Sequence, residues 1–151
     1  MERIDQLRRA QDRALAVYRG LQEVPQTGSI NHVLFVCRQV RDMVDSERRH
    51  ISINPVGLEE SLSRLFVECL LALCNREVDG IRYPASPSLA AKTLREEVFA
   101  PRNDRYDDSF ADFGPVGVIV RLLDHARVLE KTGDMRSLAH LANYSIMALM
   151  A

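Results

Sequence analysis

The sequence predicts an all-α protein, a single-domain bundle of five to six helices with no significant sheet. Apolar residues recur at helical spacing in successive segments, connectors containing proline and glycine separate these segments, and no stretch alternates as a half-buried strand would. Hydrophobic residues make up 46% and charged residues 27% of the 151 positions, which is typical of a globular chain with one core. We therefore expect one domain over residues 1–151, with a helical scaffold over 1–99 and an acidic loop plus two helices over 100–151.

Three helices are expected in the first half of the chain. Residues 2–21 place apolar side chains at helical spacing beneath an arginine-rich face. Ser29 can cap a second helix that runs to about Val44. The connector 51–57 contains an Asn-Pro pair, which disfavours helix, and a third helix is expected over about 58–75.

Two loops frame the middle of the chain. Residues 76–88 contain one glycine and two prolines and are expected to form a loop. Ser86 or Ser88 can then cap a short helix that ends near Phe99. The segment 100–115 is the most acidic and aromatic stretch of the chain, and we expect it to be a loop as well.

Two helices complete the predicted bundle. Pro115 suits the first turn of a helix that runs to Lys131. Gly133 is placed to end this helix and Asp134 to cap the next one. The last helix is expected over about 136–150.

Composition sets several functions aside. A net charge of −1 gives no overall attraction to nucleic acid or to an anionic membrane, and no stretch approaches the roughly 18 continuous apolar residues of a membrane span. The three cysteines, Cys37, Cys69 and Cys74, lie in apolar helical runs and are interpreted as small core residues in a reducing compartment. Motifs of phosphate loops, dinucleotide folds and nucleophile elbows are absent from the sequence. These features predict a cytoplasmic protein that binds neither membrane nor nucleic acid.

The last helix lacks charge on the side where a surface helix would carry it. On a helical wheel of about 100° per residue, its leucines fall on one side and His140, Asn143, Tyr144 and Met147 on the other. No charged residue follows Ser137. Because a helix packed on one side only would show charges on its other side, we expect this second side to lose water too, against a pocket, another helix or a second subunit.

Glu68 is the only charged residue in the apolar run 65–74. One hypothesis makes it a metal-binding or catalytic carboxylate in a cleft between helices, where burial would shift its pKa. The other makes it the partner of Arg64 in an i, i+4 ion pair, which contributes only about 0.2–0.5 kcal/mol when exposed. The sequence leaves both open.

Arg121, Asp124 and His125 share one face of the fifth predicted helix. Asp124 can pair with Arg121 or with Arg127, each three residues away. Asp124 and His125 together could also bind a divalent ion.

The acidic segment offers further carboxylates, interleaved with aromatic residues. Hard cations such as Mg²⁺ prefer such oxygen ligands, usually with a phosphate completing the shell, although so acidic a segment also needs only solvent. The carboxylates are Asp104, Asp107, Asp108 and Asp112.

Short motifs in the last third of the chain resemble those of a known helical family. The motifs are RYDDSF, FGPVG, RLLDH and HLANY, within residues 105–150. They are similar to the R-Y-G-D-S-F, F-G-x-x-G-V, R-L-x-D-K and D-L-A-N-Y-A motifs of the nucleotide-modification-associated domain. That family is related to the MazG-like nucleotide pyrophosphohydrolases. The matching residues are Arg105, Tyr106, Asp108, Ser109, Phe110, Phe113, Gly114, Gly117, Val118, Arg121, Leu122, Asp124, Leu141, Ala142, Asn143 and Tyr144.

The resemblance implies an all-α fold and Mg²⁺-dependent hydrolysis of a nucleoside triphosphate between its α and β phosphates. The residues that would hold Mg²⁺ are Glu68, Asp108 and Asp124. A base near neutral pH, acting on a water molecule, would be His125 or His140. The residues that would contact the substrate are Arg105, Arg121, Asn143 and Tyr144.

The chain departs from the family at positions that matter for chemistry. His125 stands where a lysine is expected, His140 stands where an aspartate is expected, and Leu65 replaces the first acid of an early Glu-x-x-Glu pair that would end at Glu68. The protein is therefore interpreted either as a divergent enzyme or as a member that kept the pocket and lost the reaction.

The alternative function is a non-catalytic interaction or adaptor protein. The uncharged stretch from Ser137 to the last residue would then form the interface of a homo-oligomer, because exposed apolar patches usually mark contacts.

Overall fold

The computed structural model describes the backbone of residues 2–19, 30–48 and 55–150, and the side chains of 3–17, 30–45, 57–102 and 117–150. Within these ranges the predicted all-α fold is confirmed. The elements in chain order are α1 Glu2–Arg19, α2 Ile30–Arg48, α3 Pro55–Leu73, β1 Glu77–Val78, β2 Ile81–Arg82, α4 Pro87–Thr93, a π-helical turn Leu94–Phe99, a 3-10 turn Ala100–Arg102, α5 Asn103–Thr132 and α6 Arg136–Met150.

The last helix lies at the centre of the bundle. α6 packs mainly against α5 and α3 and also contacts α1. Eleven of its fifteen residues are buried, including Leu138, Leu141 and Ile146 on one side and Asn143 and Met147 on the other. The prediction that both sides of this helix lose water is therefore confirmed, and helices of the same chain provide the cover.

The predicted loop 76–88 contains a small hairpin that the sequence interpretation missed. Strands β1 and β2 pair antiparallel, with Glu77 opposite Arg82 and Val78 opposite Ile81. Asp79 and Gly80 form the turn with φ angles of 55° and 78°. Two positive φ angles are what a type I′ turn requires, and Asp-Gly is among the preferred pairs for it. Each strand has only two residues, so the prediction of no significant sheet is confirmed, although the segment is not a plain loop.

The prediction that residues 100–115 form a loop was wrong. Its backbone is helical from Asn103, and α5 continues without interruption to Thr132. Pro115, expected in the first turn of a helix, lies well inside α5. Proline and glycine weaken a helix locally, but α5 packs along α6, and such packing can override local propensity.

The end of α5 and the start of α6 confirm the predicted connection. Gly133 adopts the left-handed conformation with φ of 68°, and its N–H donates to the carbonyl of Leu129. The Asp134 carboxylate accepts from the backbone N–H of Arg136 at 3.0 Å, which caps α6. This short connection sets α6 antiparallel to α5 and brings the two helices into contact.

The predicted short helix after Ser86 consists of three segments with different geometry. Ser86 occupies the capping position, although its side chain makes no capping hydrogen bond. The π-helical turn that follows α4 is held from α1: Arg95 donates to the buried Gln11 side chain at 2.7 Å, and Gln11 donates to the carbonyl of Ala91 at 3.3 Å. π-Helical turns are rare and frequently occur at functional sites.

Candidate functional site

A cluster of three aromatic rings joins α5 to α6. The ring centroid of His125 on α5 lies 4.7 Å from that of His140 and 5.3 Å from that of Tyr144, with interplanar angles of 27° and 24°. His140 and Tyr144 are four residues apart, which places them on the same face of α6. The structure therefore brings together three of the residues that the sequence singled out, and we refer to them as the ring cluster.

Arg102, just before α5, contacts the ring cluster from a third direction. Its Nη1 lies 3.2 Å from Nε2 of His140. Because a guanidinium can only donate, Nε2 of His140 must accept, and the proton of the neutral imidazole is then on Nδ1. No ion pair joins Arg102 to a carboxylate of the described residues.

A small cleft opens beside this contact, between the hairpin, the π-helical turn and the first turns of α6. It offers about 40 Å³ to water-sized molecules, which is room for a few waters because each needs roughly 10–15 Å³ on this measure. We refer to it as the hairpin cleft. Its polar lining residues are Asp79, Tyr83, Glu97, Arg102, Arg136 and His140.

Both histidines of the cluster are held neutral. Burial, and then repulsion from His125 and Arg102, lowers the pKa of His140 to about 4, against the opposing influence of Asp134 and Asp79. Burial also lowers the pKa of His125, with the Asp124 carboxylate acting in the opposite direction. His140 was one of the two residues predicted to act as a base near neutral pH. Its lowered pKa and its engaged Nε2 make it a weak proton acceptor.

Asn143 presents a buried amide whose polar atoms make no hydrogen bond to the part of the chain that the structure describes. It is fully buried, and neither its Oδ1 nor its Nδ2 makes a hydrogen bond among the described residues. Leaving such a group unsatisfied typically costs about 1–3 kcal/mol, so a structure that retains it calls for an explanation. Asn143 lies next to Tyr144 on α6 and one turn from His140, beside the ring cluster.

Two other predicted residues lie on the exposed side of α5. Arg121 is one turn before His125, and its side chain is exposed. Asp124 pairs with Arg127 at 3.0 Å, with both side chains largely exposed. The prediction that Asp124 pairs with a neighbouring arginine is confirmed.

Glu68 lies elsewhere, between α2 and α3. It is 1% exposed, and its Oε1 lies 3.4 Å from Nε2 of His32. Among the described residues this contact replaces the i, i+4 ion pair with Arg64 that the sequence left open, because Glu68 points into the bundle. Glu68 is therefore a buried carboxylate with a histidine from another helix as its partner.

The proposed metal ligands are only partly within the described structure. Among the residues whose side chains are described, no three His, Cys, Asp or Glu side chains gather in a way that could hold a metal ion. The side chains of Arg105 and Asp108, and those of the other acids over 104–112, lie outside the described residues. The predicted magnesium site therefore stays a prediction.

The cysteines behave as core residues. Cys37 and Cys69 are buried, and Cys74 is partly buried. Burial raises the pKa of Cys37 to about 12 and raises that of Cys69 well above its usual range. Thiols so strongly held in the protonated form are poor nucleophiles, in agreement with their predicted structural role.

Sequence reasoning missed Arg102 and the hairpin cleft. The Asp79-Gly80 pair was a recognisable hairpin signal that could have placed the turn. Arg102 carries no such signal, because its contact with His140 joins residues 38 positions apart. Only the path of the π-helical and 3-10 turns brings it to α6.

Among the described residues, no helix combines the length and apolar character needed to cross a bilayer. Comparison with family models, curated proteins and solved structures finds no match to this chain.

Proposed function

We propose that this chain is a helical nucleotide-binding protein whose site lies where α5 meets α6. The observation that carries the proposal is the ring cluster, in which His125, His140 and Tyr144 converge from two helices. Planar rings next to polar groups suit the recognition of a nucleobase. The resemblance of residues 105–150 to a nucleotide-related family supports the same ligand class.

Asn143 supports the proposal independently. A fully buried amide that has no hydrogen-bond partner among the described side chains and backbone destabilises the ligand-free fold, and proteins retain such groups mainly where function needs them. An amide offers both a donor and an acceptor, which suits the edge of a base or a sugar hydroxyl. We therefore assign Asn143 to the ligand, together with Tyr144 and Arg121.

Hydrolysis is the more demanding form of this proposal. It would require Mg²⁺ held by carboxylates such as Asp108 or Asp124, since Glu68 lies elsewhere in the bundle beside His32, and a base to activate water. His125 is the better placed base, since Nε2 of His140 already accepts from Arg102. Release of pyrophosphate, measured alongside binding, separates an enzyme from a protein that only binds.

Self-association through α6 has less support. The uncharged stretch that suggested an interface is covered inside a single chain, and its residues 141–148 are all buried. No exposed apolar face of α6 is left to explain. We therefore place nucleotide binding ahead of the adaptor hypothesis.

Calorimetry with Mg²⁺ and a panel of deoxynucleoside triphosphates tests the proposal, with Asn143→Leu as the key variant. Leucine has a similar volume and no polar atoms, so the variant should bind nucleotide at least about tenfold more weakly. It should also unfold with a free energy about 1 kcal/mol higher than the wild type, because the orphaned amide is gone.

Ser145→Ala is the matched control. Ser145 is equally buried on α6, but its hydroxyl donates to the carbonyl of Ala142 at 2.7 Å, so it has no unmet requirement for a ligand. The control should keep the wild-type affinity. Absence of binding heat with every nucleotide, or equal affinity in Asn143→Leu and the wild type, would contradict the proposal.

A further inference from the structure

The hairpin cleft contains a cation, Arg102, that forms no ion pair with any carboxylate whose side chain the structure describes. Arg102 donates one N–H to the neutral imidazole of His140, and among the described residues no acid pairs with it. Arg136, the other arginine of the cleft, differs: its guanidinium donates to both carboxylate oxygens of Asp134 at 2.9–3.2 Å. Arg102 therefore has N–H groups and charge still to offer, and Arg136 is already engaged.

The size of the hairpin cleft limits what can occupy it. About 40 Å³ suits a group of a few heavy atoms and not a whole nucleotide, whose sites usually measure about 300–1,000 Å³. A tetrahedral oxyanion is of the right size, and guanidinium groups bind phosphate oxygens well because their donors form a planar fork.

We propose that Arg102 and His140 form an oxyanion site in the hairpin cleft. The site binds a phosphoryl group, with the Arg102 guanidinium as the first donor and protonated His140 as the second. This inference deepens the proposed function, on which it rests for the identity of the whole ligand. Arg102 binds the anion with its uncommitted N–H groups. Once the anion is bound, the Arg102 N–H turns from Nε2 of His140 to an oxygen of the anion, and the released Nε2 can take up a proton from solvent and donate to the same anion.

The groups that face His140 determine the sign of this coupling. Repulsion from Arg102 and His125 disfavours the imidazolium, whereas Asp79 on the hairpin and Asp134 before α6 favour it. A bound anion adds negative charge next to the imidazole, so it raises the pKa of His140 from its value of about 4. By linkage, protonation of His140 must then tighten anion binding by the same factor by which the bound anion increases the proton affinity of His140.

Two carboxylates on the cleft rim oppose the anion. Asp79 and Glu97 line the hairpin cleft with exposed side chains, and their charges repel a bare oxyanion. Glu97→Gln removes one of them without changing the shape, so it should tighten anion binding roughly twofold to fivefold.

Sulfate is the appropriate probe, because it does not titrate over the relevant pH range. Calorimetry or chemical-shift titration should show binding by the wild-type chain that falls at least about tenfold in Arg102→Gln. Arg41→Gln is the matched control, since Arg41 is an exposed arginine of α2 that contacts Asp42 at 3.5 Å. The control should bind sulfate as the wild type does.

The pH dependence gives a second readout that a merely structural arginine would not produce. If protonation of His140, with its pKa of about 4, tightens sulfate binding about tenfold, sulfate should bind about threefold more tightly near pH 4.5 than near pH 7. His140→Asn should reduce this pH dependence, and a pH dependence equal to that of the wild type would contradict the role of His140. The ring resonances of His140 in the wild type report its pKa directly with and without sulfate, so the coupling can be measured even if a variant fails to fold.

Three results would overturn the inference: equal sulfate affinity in wild type and Arg102→Gln, a pKa of His140 that sulfate does not change, or acetate binding as tightly as sulfate. Its failure is distinguishable from that of the proposed function. If sulfate binds through Arg102 but no nucleotide binds, the oxyanion site is supported and the proposed nucleotide binding is contradicted. Nucleotide bound equally well by the wild type and by Arg102→Gln would support nucleotide binding and contradict the oxyanion site.

Discussion

Two histidines in this bundle meet opposite partners, and the contrast separates a structural contact from a candidate site. Between α2 and α3, Nε2 of His32 lies 3.4 Å from the buried carboxylate of Glu68. On α6, Nε2 of His140 lies 3.2 Å from the Arg102 guanidinium. The first contact pairs Oε1 of a buried carboxylate with a group that can carry the opposite charge. The second places a cation against a ring whose pKa burial already lowers, and repulsion from His125 and Arg102 lowers it further.

The difference shows why burial alone is a poor guide to function. Glu68 is the more deeply buried group and was the first metal-ligand candidate, but it has a partner suited to its charge. Among the described residues, Arg102 forms no ion pair, and its guanidinium lines the hairpin cleft. A group whose neighbours do not meet its requirements is the better candidate for ligand binding.

The largest expected effect is on stability at the first contact. Glu68→Ala should lower the free energy of unfolding by about 2–4 kcal/mol, because it leaves a cavity and removes the partner of His32. Glu59→Ala on the same helix is the control: Glu59 contacts Arg13 at 3.0 Å but is 39% exposed, so its loss should cost less than about 1 kcal/mol. Denaturant unfolding of both variants measures the difference, and equal losses would show that Glu68 contributes no more than a surface charge.

The second contact should make stability depend on pH. The pKa of His140 is lowered from 6.5 to about 4 in the folded chain, so the unfolded chain binds more protons between these values. Its contribution is fully present above about pH 6.5 and is lost as the pH falls towards 4. We expect about 1 kcal/mol less stability near pH 4.5 than near pH 7 from this group, after allowing for the exposed part of the ring.

His140→Gln isolates that contribution. Unfolding measured at both pH values should show a smaller acid-induced loss in the variant than in the wild type. An identical loss in both would mean that the environment of His140 does not favour its neutral form.

The smallest effect is expected at Asp124, which lies on the exposed face of α5. Asp124→Asn breaks the pair with Arg127 and should change the free energy of unfolding by less than about 0.5 kcal/mol. Because Arg127 already engages this carboxylate, we also expect nucleotide affinity in the presence of Mg²⁺ to stay within about twofold of the wild type. A tenfold loss would instead assign Asp124 to a metal site.

The fold was largely predictable and the candidate site was predictable only in part. Helical spacing, the Gly133 terminus and the absence of charge along α6 placed the helices and the hidden face correctly. His140, Asn143 and Tyr144 were predicted because a polar residue on an uncharged helical face is conspicuous in a single sequence, and His125 because it shares a helical face with Arg121 and Asp124. The acidic segment was predicted to be a loop from its local composition. Its backbone is helical because the packing of α5 against α6 can override local propensity.

What the sequence determined by itself is local: which residues share a helical face, where Gly133 permits the left-handed turn, and which side of α6 must be covered. These follow from a fixed helical period and from the conformational freedom of glycine. The tertiary structure alone decided that Arg102 meets His140 and that His32, not Arg64, meets Glu68. Both contacts join residues far apart in the chain, and no local pattern records such a meeting, because it depends on how whole helices pack.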